Sequence, residues 1–163
     1  MAKYQLAQLN IARMKYPLES PGMGDFVANL EDVNALADAS PGFVWRLQSE
    51  DGDATSIRFF GPDTVVNMSV WEDVASLHGF VYRSAHTAVM GRRKEWFERM
   101  REAYTVLWWI PRGSLPTLEQ ARSRLELLRS KGPTEAAFTF KKAFAAPDTE
   151  REIDEFEDLC PAT

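Results

Sequence analysis

At 163 residues, 45% of them hydrophobic and 26% charged, the chain suits one globular domain with a core of its own. No apolar run approaches the roughly eighteen residues that a bilayer-spanning helix needs. The net charge of −5 is unevenly spread: seven acidic residues and one arginine give Pro147–Thr163 a charge of −6, leaving a near-neutral body at +1, which argues against nucleic acid as the main partner.

The single cysteine, Cys160, excludes an internal disulfide and any cysteine-cluster metal site. The opening MAKYQLAQLN lacks the charged-then-apolar order of a signal segment and reads as a strand, so a cytoplasmic location is expected. In Tyr4–Ala12, Leu6, Gln8 and Asn10 alternate with Ala7, Leu9 and Ile11. Ser20-Pro21 has the form of a helix N-cap followed by proline at the first helical position. Phe26, Leu30, Val33 and Ala37 then recur at helical spacing and predict a helix that buries one stripe.

Pro41-Gly42 ends that helix. Residues Gly42–Gln48 and Thr64–Trp71 read as strands, with a polar loop after the first of them. Val74, Leu77, His78 and Val81 mark a second helix, and a further helical piece is expected from Ser84 to about Phe97. Ala103–Ile110 is the fourth strand, stopped by Pro111 and Gly113. The order β-α-β-β-α-β predicts an α+β, ferredoxin-like sheet. Thr117 and Gln120 form a capping box for a C-terminal helix over residues 117–131. The segment AFTFKKAF is a short strand or extended arm. Residues 1–146 are thus expected to form one domain, with 147–163 an acidic, solvated tail.

The stretches PGFVW, VNMSVWEDVASLHGFVYRSAH and YTVLWWIP resemble the dimeric α/β-barrel superfamily of antibiotic-biosynthesis-type monooxygenases. Within it the chain is similar to the bacterial family called domain of unknown function 3291, from Tyr4 to Phe144. The more specific parts are HxxxMxRRxxWF, here His86, Met90, Arg92, Arg93, Trp96 and Phe97, and LWWIPRGSLPTLEQA. The resemblance implies homodimers whose sheets pack face to face into a barrel, with a cavity between sheet and helices in each subunit.

In a ferredoxin-like sheet the first and third strands are central neighbours. Asn10 and Asn67, with Gln8 and Ser69, are therefore expected to share one face. Buried amides need hydrogen-bond partners, so they either bond one another or a water, or they orient a ligand. His86 is the candidate acid or base, since an imidazole exchanges protons near neutral pH. On a continuous helix it would share a face with Met90, Arg93 and Phe97; packing between helix and sheet is the other reading. Arg83 could orient an anionic or phenolate-like oxygen. His78 is expected to pack or to be partly exposed.

Trp45, Trp71, Trp96, Trp108 and Trp109, with Tyr82 and Tyr104, supply core and interface area first, and could line a cavity for a flat apolar ligand. Adjacent Trp108 and Trp109 must face opposite ways; Trp108 is taken as the ring in the cavity. Trp71, Tyr82 and Met90 complete the expected substrate-binding set. Arg92, Arg93 and Lys94, with Arg99 and Arg101, read as a solvated helix face offset by Glu95, Glu98 and Glu102. No Gly-rich phosphate loop, nucleophile elbow or metal-ligand spacing is present.

Three functions are compatible with these residues. One is a cofactor-independent monooxygenase, cyclase or isomerase acting on a small apolar or aromatic molecule, with His86, Arg83 and Asn10 catalytic. Another is haem binding or degradation, since haem-degrading relatives in the superfamily combine a first-strand asparagine, a helix tryptophan and a helix histidine; Asn10 and His86 match, whereas Phe80 stands at the tryptophan's place. The remaining one is a non-catalytic homodimer that binds a ligand or partner.

Overall fold

The computed structural model describes residues 2–50, 52–83 and 90–147. Four strands, β1 (Tyr4–Arg13), β2 (Phe43–Arg46), β3 (Thr64–Trp71) and β4 (Thr105–Pro111), form one sheet in the order β2-β3-β1-β4. Every pairing is antiparallel. With α1 (Gly24–Asp38) between β1 and β2 and α2 (Val74–Arg83) after β3, this is the ferredoxin-like arrangement. A single turn of helix, α3 (Arg93–Trp96), precedes β4, and α4 (Leu118–Lys131) follows it.

Several boundaries shift for identifiable reasons. Ser20 does not cap α1: its hydroxyl donates to the Pro17 carbonyl, and Pro21–Met23 makes a 3-10 turn before the helix starts at Gly24. On α1 only Ala37 is fully buried; Phe26, Leu30 and Val33 are half-buried. β2 is shorter than Gly42–Gln48 because the ladder shifts register between Phe43 and Trp45. Gly42 has φ 81°, and a Cβ there would meet the Ser76 side chain, so this turn requires glycine. Asp73 caps α2, its carboxylate accepting from the Ser76 backbone N–H at 2.8 Å. The capping box of α4 forms as expected, and Gly132 ends that helix at φ 71°.

The helical piece expected to run to Phe97 ends one residue earlier. Phe97 is extended and bridges Met14 beyond the end of β1, and a turn at Arg92 separates Met90 from the helical turn that begins at Arg93, so these residues do not share one helix face.

The sheet is covered on both sides. On one face Ala7, Leu9, Ile11, Val66, Met68, Val70, Val106, Trp108 and Ile110 pack against Ala121, Leu125 and Leu128 of α4. Leu47, Ala54, Ile57 and Phe60, from the long β2–β3 connection, complete that layer. Full burial of each leucine contributes about 1.5–3 kcal/mol, so α4 is an integral part of the core. It occupies the face through which a face-to-face barrel would pair with a second sheet.

The other face carries two apolar clusters. One joins Leu6, Trp71 and Leu107 to Ala37 and Leu77, with Phe43, Phe80, Trp109, Phe140 and Phe144 around them. The second joins Ala12, Val65, Met14 and Met23 to Trp96 and Phe97, with Phe26 and Leu18 alongside. The arm after α4 reaches this side of the sheet edge: Phe138 exchanges two 2.9 Å backbone hydrogen bonds with Leu107, and the Trp109 indole donates to the Phe144 carbonyl at 2.8 Å. The helix α1 touches both clusters, through Phe26 at its start and Ala37 at its end.

Candidate functional site

The strip of sheet between those clusters is polar. Asn10 lies directly opposite Asn67 across β1 and β3, and opposite Thr105 across β1 and β4. One pair further along, Gln8 faces Ser69 and Leu107. Strand alternation puts all of them on the helix side, because Ala7, Leu9, Val66 and Met68 point to α4.

Hydrogen bonds organise this strip. The Gln8 amide nitrogen donates to Asn67 Oδ1 at 2.5 Å and to Ser69 Oγ at 2.9 Å. The Trp71 indole also donates to Ser69 Oγ, at 2.8 Å. Asn10 donates to Thr105 Oγ1 at 2.7 Å. The two asparagines are therefore neighbours that bond to different partners. Gln8 and Ser69 are buried, Asn10 is half-buried, and Asn67 is the one exposed residue of an otherwise buried central strand.

Trp71 is part of the packing beside the strip. It is 1% exposed, stacked on Phe80 at 5.2 Å and met edge-on by Phe43. His78 is buried with its ring 4.5 Å from Tyr82 and 5.9 Å from Phe140. Tyr82 is half-buried in that group, and Met90 is exposed. Trp108 does not belong to the site: it is on the face covered by α4, and Trp109 is the ring turned toward the helix side. Strand parity alone separates the two indoles, but the β1–β4 register is needed to say which joins Asn10. Arg83 closes α2, and His86 lies outside the described residues.

The basic cluster is not one solvated face. Arg92 bonds Asp25 and Glu95, both at 2.7 Å, joining α1 to α3, and these carboxylates raise its pKa. Glu98 and Glu102 pair elsewhere, with Arg13 and Arg129. Arg93 turns inward, its guanidinium over the rings of Tyr104 and Phe97. A second polar group, distant in sequence, joins the opposite end of the sheet. Glu72 accepts from Arg112 and Gln5, and Arg112 holds its carboxyl below the usual range. With about forty residues between Glu72 and Arg112, no local pattern announces this pair.

The profile of DUF3291, a domain of unknown function, matches residues 5–155, extending past Phe144 into the acidic segment. The chain belongs to the DUF3291 family. No curated protein matches it. Among solved structures, NE2512, a protein of unknown function from Nitrosomonas europaea, is similar at 17% identity and a TM-score of 0.44, over 71% of this chain and 95% of its own. SnoaB, a cofactor-independent oxygenase from Streptomyces nogalater solved in a mutant form, is similar at 14% identity and a TM-score of 0.44, over 71% and 100%.

In this DUF3291 chain the helix position expected to carry tryptophan in haem-degrading relatives is Phe80, stacked on Trp71, and Asn10 is bonded to Thr105. Of that pattern Phe80 is the departure and Asn10 the position retained. Among the described residues no three His, Cys, Asp or Glu side chains gather as metal ligands, and no helix is long and apolar enough to cross a membrane. An open depression of about 440 Å³ lies at the α1–β2 turn and the start of α2, lined by Ser40, Pro41, Asp73, Ser76 and Phe80 among others; it does not include Asn10 or Asn67.

Proposed function

We propose that this DUF3291 protein binds a small, flat, hydrogen-bonding molecule on the helix side of its sheet, over Asn10, Asn67 and Thr105. The observation that carries this is the exposure of Asn67 at the centre of β3, in a strand otherwise buried and between two apolar clusters. A polar side chain in such a place is ordinarily either enclosed and bonded or open toward a ligand. The Asn67 carbonyl is held by Gln8, which fixes the amide's orientation before anything binds. Fixing the polar groups in advance reduces the ordering cost of binding.

Chemistry at this site would be proton transfer on an enol or phenol, of the kind a cofactor-independent monooxygenase, cyclase or isomerase performs. His86 would take the proton while Asn10 and Arg83 hold the oxygen. A homodimer built by the α4-covered face would require α4 to leave its seat on Leu9 and Trp108.

The test is an NMR titration of the full chain with 1-naphthol. Shifts of the Asn10 and Asn67 side-chain amides, with affinity lost in Asn67→Leu, are expected. Shifts confined to other regions, or affinity unchanged in Asn67→Leu, would overturn the proposal. Loss of turnover with binding retained in His86→Ala would then separate enzyme from binder.

A further inference from the structure

Each amide of the central asparagine pair commits one of its two polar atoms to the sheet and leaves the other open. Asn67 Oδ1 accepts from Gln8, and among the described residues nothing bonds Asn67 Nδ2, in a side chain that is exposed. Asn10 shows the converse. Its Nδ2 donates to Thr105 Oγ1 at 2.7 Å, and no described residue donates to its Oδ1. That oxygen reaches solvent, since the one enclosed side-chain atom without a partner among the described residues is Arg93 Nη2.

The strip therefore presents a donor from β3 beside an acceptor from β1. Asn10 and Asn67 are directly opposed, and the Cβ atoms of such residues stand about 5 Å apart, so the two groups address neighbouring atoms of one ligand. The matching ligand accepts where Asn67 donates and donates where Asn10 accepts. A carboxylate offers acceptors only and would set an oxygen against Asn10 Oδ1. A lone hydroxyl offers one atom to two amides, and the hydroxyl of an ortho-hydroxy ketone closes onto its own carbonyl. A ring lactam keeps its N–H and C=O side by side, coplanar and directed outward.

We infer that this site takes a planar heterocycle by its lactam edge, the ring carbonyl accepting from Asn67 and the ring N–H donating to Asn10. The inference rests on the small-molecule site proposed above and narrows its ligand by the order of donor and acceptor. The apolar clusters on either side of the strip receive the ring body. A lactam is the tautomer of a hydroxy-heteroarene, so this class stays within the enol and phenol chemistry proposed for the site.

The experiment compares 2-quinolone with coumarin, which has the same outline and carbonyl but a ring oxygen in place of the N–H, on the full chain by calorimetry and NMR. The wild type is expected to bind 2-quinolone at least about tenfold more tightly, with shifts of the Asn10 and Asn67 side-chain amides. Asn10→Val removes the acceptor and should bring the two affinities together. Asn67→Asp still accepts from Gln8 but turns an oxygen outward, so both probes should weaken about tenfold. Equal affinities in the wild type, a preference that survives Asn10→Val, or undiminished binding of both probes by Asn67→Asp would each overturn the inference. If a substitution disturbs folding, the wild-type ratio and amide shifts decide. The naphthol titration separates the two proposals. Naphthol that shifts the Asn10 and Asn67 amides, while 2-quinolone shows no preference over coumarin or no binding at millimolar concentration, keeps the site and overturns the lactam order. Failure of naphthol and 2-quinolone alike to move those amides overturns both.

Discussion

Asn10 and Asn67 are direct cross-strand partners at the centre of the sheet, yet each amide bonds elsewhere, Asn10 to Thr105 and Asn67 to Gln8. The pair is thus braced from both sides rather than closed on itself. That distinction separates residues that hold the strip together from those that can be changed at little cost.

Ser69 belongs to the first group. It accepts from both Gln8 and the Trp71 indole, and both donors are buried. Ser69→Ala strands at least one of them and should cost about 1–3 kcal/mol, read as a lower urea midpoint. Asn67→Leu, at an exposed position, should change stability by less than about 1 kcal/mol. Equal losses in the two variants would show that Asn67 is structural.

The α4 helix should behave as core. Leu125 is 1% exposed beneath the helix, in the same cluster as Trp108. Leu125→Ala is expected to cost about 2–5 kcal/mol through lost contacts and a residual cavity. Chemical denaturation measures the loss directly. A variant as stable as the parent would mean that α4 does not hold this seat in solution.

Among the described residues, the C-terminal arm is held by the Trp109 indole hydrogen bond, the Leu107–Phe138 bridge and the packing of Phe138, Phe140 and Phe144. Trp109→Phe removes the donor to the Phe144 carbonyl while leaving ring packing largely in place. The arm should then open more often, and trypsin should cut faster after the exposed Lys141 and Lys142. Unchanged cleavage rates would assign the tether to the Phe138 bridge and the packing of the arm's phenylalanines.

The Glu72–Arg112 pair predicts a modest acid sensitivity. The folded-state pKa of Glu72 is below its usual value near 4.5. Its stabilising contribution is therefore complete above the unfolded value and is lost as pH falls through the folded one. Both side chains are partly exposed, so the effect is small and weakens with salt. Comparing urea midpoints at neutral pH and below 4.5 for wild type and Arg112→Met checks this; the variant should show a shallower acid loss.

Haemin provides a further check. With Phe80, stacked on Trp71, in the place of the haem pattern's tryptophan, titration should produce no shifted Soret band. A stoichiometric band would restore the haem reading.

The amino-acid sequence by itself determined the element order, the bounds of β3, the α4 capping box and the family, because each is written in short-range patterns. Alternation at period two identifies a strand, and Thr117 with Gln120 identifies a helix start, without reference to the remainder of the chain. It also placed Asn10 and Asn67 together, since ferredoxin-like order makes β1 and β3 neighbours. Only the tertiary structure decided which of Trp108 and Trp109 faces the polar strip, that α4 covers the opposite sheet face, and that Arg93 turns inward while Arg92 finds carboxylates. Those outcomes depend on strand register and on contacts between residues far apart in the chain. A pattern of neighbours carries the period of an element, but not the partner that its side chains will meet.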